Sequence, residues 1–238
     1  KRTREFAQAL LDRQLNLTWH ATIEVKQVNQ YSDASLDLMA ESGLLVAPTG
    51  AEAASWEQQE AIGKRIKEGE TLKAIGKLDE RGIIAGVSYI IGYPDESEAS
   101  MRMTLDEAMK VKLNFEHASV DVFPYRPIPG AELWQDALDK GYEPPTTAAQ
   151  WGAMFEYKVD TWKDGIPDDV QREWSVFNFL SPWVDGHVRC SKTMKAMLGA
   201  SARWRMRNKV FKLPIEFKAY HRARQLVDRV WTAKVAPR

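Results

Sequence analysis

The sequence has a single cysteine and no long apolar run. Cys190 stands alone among 238 residues, which excludes an internal disulfide and a cluster held by three or four thiolates of this chain. No uninterrupted apolar stretch approaches the roughly 18 residues that span a bilayer. Residues 1–4 lead into a mixed amphipathic stretch and not into the apolar core of a signal peptide. We therefore expect a cytoplasmic globular protein.

Several common catalytic patterns are also missing. The chain has no G-x-x-x-x-G-K-S/T loop and no glycine fingerprint for phosphate, which argues against a P-loop nucleotide triphosphatase. No pairing of a nucleophile with a base is evident. The histidines lack the spacing of a metal site; they are His20, His117, His187 and His221.

The charge is balanced in total but not along the chain. Basic and acidic residues both number 33, yet residues 187–238 carry 14 basic and 2 acidic residues, a net charge of +12. Residues 1–186 are correspondingly acidic, at −12. Such asymmetry can mark a region that contacts a membrane or a nucleic acid. The more common explanation is a basic region that docks on the acidic remainder or forms a solvated face. A nucleic-acid partner is not expected.

Helix and strand patterns alternate over residues 1–142. Alternation at this spacing indicates an α/β fold with a parallel sheet. The nearly unbroken apolar run at 83–91 predicts a strand that is covered on both faces. The predicted strands are 17–25, 44–47, 83–91 and 118–123. The predicted helices are 4–13, a short one from 33 to the stop at Gly43, 71–81, one that begins at Ser97 or Ser100, and 131–140.

The remaining residues, 143–238, have little β character and predict a mainly helical, basic region. Within it, residues 203–212 are basic with interleaved apolar side chains. This segment predicts either an interfacial helix or a surface helix that covers a hydrophobic edge. We therefore predict two parts, an α/β domain over 1–142 and a helical C-terminal region over 143–238.

Residues with chemical potential follow the second predicted strand, at the end of the sheet where α/β proteins place their sites. Gly50 permits close approach of the backbone to a ligand, Glu52 supplies a carboxylate, and Ser55 can cap the next helix. An ordinary strand–helix turn, with Glu52 paired to a neighbouring cation, explains the same residues.

The next two loops are rich in proline and glycine. Asp95 and Glu96 lie where a helix begins, and the preference of that position for negative charge is a sufficient structural reason for both acids. Residues 123–130 include three prolines and a glycine. Their stiff backbone edge is either a platform for a planar ligand such as adenine or a rigid connector.

Four segments, taken in order, resemble motifs of the radical S-adenosylmethionine superfamily. Residues 50–55 resemble the G-x-E-S strand end of the branch whose members often carry a cobalamin-binding domain, and 61–65 resemble the Lys/Arg element that follows it. Residues 81–97 resemble G-I…F-I-I-G-x-P-x-E-S/T, and 127–134 resemble P-x-P-G-T-x-L-Y/W. The order and spacing of these segments agree with the family over residues 5–142.

The resemblance implies a partial parallel (β/α) barrel of the radical S-adenosylmethionine type, with the family's strands 3–6 present. In that family a 4Fe–4S cluster binds S-adenosylmethionine and cleaves it to a 5′-deoxyadenosyl radical, and this branch often uses cobalamin. Carried over, the resemblance implies that Glu52 and Ser55 lie near the ribose and substrate, and that Lys64 or Arg65 binds the methionine carboxylate. The residues implied to border adenine are Gly92, Pro94, Phe123, Pro124 and Pro127.

The chain departs from the family where the cluster should be. The C-x-x-x-C-x-x-C motif and the strand that contacts the amino group of S-adenosylmethionine are absent, and both would precede residue 1. Ala53, Ala54 and Ala131 also replace residues that are usual in the family. We therefore expect this chain to be part of a longer enzyme, with the cluster ligands outside it.

The resemblance leaves several functions open. The expected reaction is methyl transfer or cyclisation of a small, lipophilic substrate, with peripheral membrane contact through the basic C-terminal region. One alternative is a non-catalytic α/β binding or scaffold module without a cluster. Another is a conventional barrel enzyme that uses Glu52 and Glu96 as acid and base.

Overall fold

The computed structural model describes residues 2–155, 165–185, 188, 190–211, 219 and 222. The strands are β1 (Trp19–His20), β2 (Leu44–Glu52), β3 (Ile84–Ile91) and β4 (Ala118–Pro124). The helices are α1 (Arg2–Asp12), α2 (Val25–Gln30), α3 (Asp33–Glu41), α4 (Trp56–Ala61), α5 (Glu70–Asp79), α6 (Glu98–Asn114), α7 (Trp134–Asp139), α8 (Ala148–Phe155), α9 (Asp168–Val184) and α10 (Lys192–Arg207).

The four strands form one parallel sheet in the order β1-β2-β3-β4. Each strand is followed by at least one helix before its neighbour begins. The predicted parallel α/β class is therefore confirmed, and the described residues that follow the sheet are mainly helical. The carboxyl ends of all four strands lie at one edge of the sheet, which is where the loops singled out by the sequence begin.

Two strands differ in length from the prediction. The first was expected over 17–25, but β1 covers only Trp19–His20 and α2 already begins at Val25. The N–H of Ile23 still donates to the carbonyl of Pro48 at 3.0 Å, so the segment follows β2 beyond β1. The second strand was expected to end at residue 47 but continues to Glu52. A proline at this position indicates a turn. Pro48 lacks only a backbone N–H, however, and its carbonyl accepts the hydrogen bond from Ile23.

Only one face of the sheet is fully buried, so the prediction that the strand at 83–91 is covered on both faces is wrong for this chain. Consecutive right-handed crossovers place the helices on the same side of a sheet. Helices α3, α5 and α6 contact the strands. Along β3, the buried residues are Ala85, Val87, Tyr89 and Ile91, and they alternate with the partly exposed Gly86, Ser88 and Ile90. We call the less buried side the open face.

The core lies between the buried face of the sheet and its helices. Leu36 of α3, Ile75 of α5 and Leu105 of α6 are all at most 1% exposed. These helices bury the apolar positions that recur every three or four residues. They also hold the strand ends, and thus the loops of the site, in fixed positions.

Contacts divide the chain into two compact units, Lys1–Trp174 and Ser175–Arg238. The predicted division at 142/143 stays a prediction. In the second unit, Phe177 and Trp183 of α9 and Met206 of α10 are buried. A Cβ on Gly199 would lie 3.0 Å from the carbonyl oxygen of Trp183, so α10 passes close to the end of α9 at this glycine.

The predicted basic segment 203–212 is only partly helical. Helix α10 ends at Arg207, residues 208–211 follow without helical structure, and Lys212 lies outside the described residues. Most of the basic region beyond residue 211, including His221, also lies outside them. Among the described residues, no helix is both long and apolar enough to cross a membrane.

Gly43 generates a prediction on stability, because it ends α3 with φ +95° and carries no side chain. A Cβ there would lie 2.0 Å from the backbone oxygen of Leu17. Backbone cannot yield as a flexible side chain can, so we expect Gly43→Ala to lower the free energy of unfolding by about 3 kcal/mol. Urea denaturation monitored by circular dichroism measures this loss.

Gly82 provides the matched control for this substitution. It also has a positive φ, +66°, but a Cβ there would meet nothing within 4 Å. Gly82→Ala should therefore cost only the backbone penalty, about 1 kcal/mol. Equal losses for the two variants would contradict a steric role of Gly43.

Candidate functional site

The open face carries small and polar residues where three strands lie side by side. Gly50 of β2 pairs with Ser88 of β3, and Ser88 pairs with Asp121 of β4. Gly50 and Ser88 are half-buried and Asp121 is exposed. Residues in register share one face of a sheet. The row therefore presents small residues next to groups that can accept or donate hydrogen bonds.

The carboxylate of Glu52 lies over Gly50 on this face. A Cβ on Gly50 would stand 2.6 Å from Glu52 Oε1, so the carboxylate fills the space that a side chain would take. Glu52 has φ +63°. The N–H of Ala53 donates to the carbonyl of Ala51 at 2.9 Å, which makes a γ-turn centred on Glu52. Strained backbone of this kind is concentrated at functional sites.

Lys64 lies beside this carboxylate. Its ammonium nitrogen is 3.6 Å from Glu52 Oε1 and 4.0 Å from Glu24 Oε1. Lys26 donates from Nζ to the backbone carbonyl of Lys64 at 2.6 Å, which helps to hold the loop. The side chain of Lys64 is 39% exposed and that of Glu52 is 19% exposed. Both charges are thus accessible at the edge of the sheet.

Gln59 fixes the two loops that carry these charges. The side chain is fully buried. Its amide donates to the carbonyl of Ala51 at 2.7 Å and to the carbonyl of Ala53, and its oxygen accepts the N–H of Ile66 at 3.2 Å. One side chain therefore ties the γ-turn to the loop before α5. Removal of this amide would leave buried backbone groups unsatisfied.

A buried chain of hydrogen bonds joins the loop after β2 to the loop after β3. Ser55 Oγ lies 2.7 Å from Ser100 Oγ, and Ser100 Oγ donates to Glu96 Oε1 at 2.7 Å. Glu96 Oε2 accepts the N–H groups of Gly92 at 2.7 Å and Tyr93 at 3.2 Å. Either hydroxyl can donate the hydrogen bond between Ser55 and Ser100.

Ser55 and Gly92 hold the loops in place through this chain. Ser55 is buried and caps α4 by accepting the N–H of Gln58 at 3.2 Å, as the sequence predicted. Gly92 is buried with φ +79°, a conformation that favours glycine. Pro94 is buried in the same loop. The predicted roles of these three residues next to a ligand stay predictions.

Two tyrosines form a wall next to this loop. The rings of Tyr93 and Tyr125 lie 5.0 Å apart between centroids, tilted by 36°. Burial raises the pKa of Tyr93, and the charges of Glu52 and Glu96 raise it further. Burial also raises the pKa of Glu96, against its hydrogen bonds from Ser100 and the backbone of Tyr93 and Gly92, which lower it. The site therefore combines a low-polarity wall with a charged rim.

The end of β4 supplies a backbone edge next to β3. Phe123 and Pro124 are half-buried and pair with the last two residues of β3. The N–H of Tyr125 donates to the carbonyl of Ile91 at 2.8 Å, and Pro127 is buried. This stiff edge lies at the same end of the sheet as the charged pair. A role in bordering adenine stays a prediction.

Arg65 is in a different position from Lys64. It is exposed, has φ +55°, and lines a surface crevice with Lys26, Trp56 and Lys67. The resemblance implied that Lys64 or Arg65 binds the methionine carboxylate of the ligand. Of these two residues, Lys64 is the one in contact with Glu52.

The residues at this site fit S-adenosylmethionine but not an iron–sulfur cluster. The ammonium of Lys64 and the carboxylate of Glu52 complement the two charges of an amino-acid group. A 4Fe–4S cluster needs about three or four thiolates, and the chain has one cysteine. In the described part of the chain, no group of three or more His, Cys, Asp or Glu side chains could hold a metal ion.

Four residues of this site were not predicted from the sequence to belong to it: Gln59, Ser88, Ser100 and Asp121. Asp121 stands between Val120 and Val122, so a polar residue within an apolar strand was an available signal. Gln59 offered none, because its role depends on backbone carbonyls that only the folded loop brings to it.

No family model matches the chain. It is 28% identical over 138 residues to an uncharacterized methyltransferase of Pyrococcus horikoshii, covering 58% of this chain and 28% of that protein. It is 26% identical over 136 residues to an anaerobic magnesium-protoporphyrin IX monomethyl ester cyclase of Rubrivivax gelatinosus, covering 57% of this chain and 24% of that protein. The chain thus spans about a quarter of the length of these curated relatives.

Similar solved structures include two radical S-adenosylmethionine enzymes. Coproporphyrinogen III oxidase of Escherichia coli matches with a TM-score of 0.46 and 15% identity, covering 66% of this chain and 37% of that chain. The cobalamin-dependent enzyme OxsB matches with a TM-score of 0.46 and 12% identity, covering 92% of this chain and 39% of that chain. Both are members of the class of enzyme whose motifs the sequence resembles.

The raised pKa of Glu96 generates a prediction on pH dependence. Since the folded protein holds this proton more tightly than the unfolded chain, stability falls as pH rises from the ordinary glutamate pKa through the raised one. Glu96→Gln removes the titration while keeping an oxygen for the two N–H groups. We expect the wild-type free energy of unfolding to fall relative to that of the variant across this window.

Urea denaturation at a series of pH values measures this difference. Glu98, the first residue of α6, is exposed. Glu98→Gln is therefore the matched control and should follow the wild-type profile. Parallel profiles for wild type and Glu96→Gln would show that burial of Glu96 is not coupled to folding.

Proposed function

We propose that this chain, which resembles radical S-adenosylmethionine enzymes, forms the C-terminal part of the catalytic barrel of such an enzyme. The observation that supports the proposal most strongly is the pair of Glu52 and Lys64 over the glycine of β2. It lies at the carboxyl edge of a parallel sheet, on the face that the helices leave uncovered. The ordered sequence motifs support the same family.

In this proposal the chain's own residues bind and orient S-adenosylmethionine, which supplies radical chemistry when it is bound. Lys64 attracts the methionine carboxylate, and Glu52 attracts the amino or ribose hydroxyl groups. The loop of Gly92 and Pro94 and the backbone of residues 123–127 border the adenine. The two tyrosines exclude water from that side. The ligands of the 4Fe–4S cluster lie in another part of the polypeptide.

The substrate is proposed to be a small, lipophilic molecule that faces the row formed by Gly50, Ser88 and Asp121. Because the relatives are a methyltransferase and a cyclase, methyl transfer or cyclisation is the proposed reaction. Cobalamin is a proposed second cofactor, since OxsB is described as cobalamin-dependent. We propose a cytoplasmic enzyme with peripheral membrane contact through its basic region.

A second candidate is a non-catalytic α/β binding module. The observation that favours it is the single cysteine, because without thiolates the chain has no source of electrons. The acid–base alternative is weaker. Both oxygens of Glu96 are occupied by Ser100 and by backbone N–H groups, so this carboxylate holds a loop.

The mass of the natural polypeptide distinguishes the first two candidates. We expect a mass well above 27.1 kDa, with upstream peptides that contain three closely spaced cysteines. Reconstituted with iron and sulfide without oxygen, this polypeptide should cleave S-adenosylmethionine. A natural mass near 27.1 kDa, without iron, would favour the binding module.

The charged pair generates a prediction on ligand affinity in that reconstituted polypeptide. We expect Lys64→Met to raise the Kd for S-adenosylmethionine about tenfold to hundredfold, because a charge-assisted hydrogen bond contributes roughly 1.5–3 kcal/mol. Gly50→Ala should also weaken binding, with little loss of stability, because the new Cβ displaces only the flexible Glu52 carboxylate. Isothermal titration calorimetry measures both effects.

Lys67 is the matched control for Lys64. It lies in the same loop before α5 and its side chain is exposed. Lys67→Met removes the same charge without removing the contact to Glu52. If Lys64→Met and Lys67→Met weaken binding equally, the effect comes from the net charge and the proposed role of Lys64 is wrong.

A further inference from the structure

Helix α10 presents three large apolar side chains to solvent. Met194, Met197 and Trp204 are 42%, 68% and 56% exposed. At 3.6 residues per turn they project within roughly 80° of one another and span about 15 Å along the helix axis. We call these three residues the apolar stripe. Exposed apolar side chains grouped on one side of a helix mark an interaction surface more often than scattered single residues do.

The stripe is separate from the face that α10 uses for packing. Gly199, Ala202 and Met206 are buried on another side of the helix. Arg203 donates to the carbonyl of Val184 at 3.1 Å, within the same compact unit. The helix is therefore already anchored by one face while a second apolar face stays exposed. Packing against the described residues of this unit does not explain the stripe.

The charge of α10 indicates the kind of partner. The helix contains five Lys/Arg and no Asp or Glu. Arg205 is buried and donates to the carbonyl of Val210 at 3.2 Å. Lys192 and Arg207, at the two ends of the helix, have exposed side chains. The complementary surface is therefore negatively charged, and residues 187–238 as a whole carry a net charge of +12.

We propose that α10 docks on an anionic lipid surface. Trp204 and the two methionines enter the boundary between headgroups and acyl chains, and Arg207, which projects roughly 60° from Trp204 around the helix, contacts the phosphate and carboxylate groups of the lipids. A fluid interface suits this helix because Trp favours the membrane–water boundary and Met adapts its shape. The helix also lacks Asn and Gln, which would give a protein partner fixed hydrogen bonds.

This inference rests on the peripheral contact proposed above but not on the radical chemistry. The test is cosedimentation of the full natural polypeptide with phosphatidylcholine vesicles that contain or lack phosphatidylserine. We expect binding only to the phosphatidylserine vesicles, with loss of binding at high salt. Cleavage of S-adenosylmethionine, measured on the same samples, shows separately whether the proposed function holds.

Two sets of variants assign the binding to α10. We expect Met197→Ser with Trp204→Ser to weaken binding at least about tenfold, since apolar burial contributes much of interfacial affinity. Arg207→Gln should weaken it roughly fivefold, whereas Lys192→Gln, which removes a charge on the side of the helix away from the stripe, should weaken it less. Met103→Ser on α6, where Met103 is 48% exposed, is the control and should bind like wild type.

Three results would overturn the proposal. Wild-type protein that stays in the supernatant with phosphatidylserine vesicles at low salt shows that no anionic lipid is bound. Unchanged binding by Met197→Ser with Trp204→Ser and by Arg207→Gln, with unchanged circular dichroism and melting temperature, shows that another part of the protein binds. A dimer seen by light scattering that Trp204→Ser abolishes identifies a second copy of the chain as the partner of the stripe.

Discussion

The buried carboxylate of Glu96 holds together the two loops on which the site depends. It accepts hydrogen bonds from Ser100 and from the N–H groups of Gly92 and Tyr93. Through Ser100 it reaches Ser55, which begins α4. Burial of a charge is unfavourable, and three donors offset this cost. The Glu96 side chain thereby fixes the start of α4 and the loops that follow β2 and β3.

This arrangement leaves the charged pair accessible on the open face. Glu96 and Gln59 hold the loops in place by hydrogen bonds. Glu52 and Lys64 therefore lie at the edge of the sheet without themselves supporting the fold. Gly50 provides the space for the Glu52 carboxylate. The strained γ-turn persists because Gln59 fixes the carbonyls on either side of it.

Much of the fold follows from local patterns in the sequence. Gly43 and Ser97 end and begin helices where their conformational and capping preferences place them. The alternation of strands and helices, with no hairpin signal, leads to a parallel sheet. The strand boundaries were less predictable. Pro48 and Gly50 are residue types that are common in turns. Both nevertheless lie within β2, where they pair with residues of β3.

The sequence by itself determined the parallel α/β class, the location of the site at the strand ends, and the resemblance carried by its motifs. These depend on periodicity and on residue types that are read one segment at a time. Only the tertiary structure decided that Lys64 and not Arg65 contacts Glu52, and that Ser55 is a buried support. It alone placed Ser88 next to Asp121. Such relations join segments that are distant along the chain, and strand register and loop closure bring those segments together.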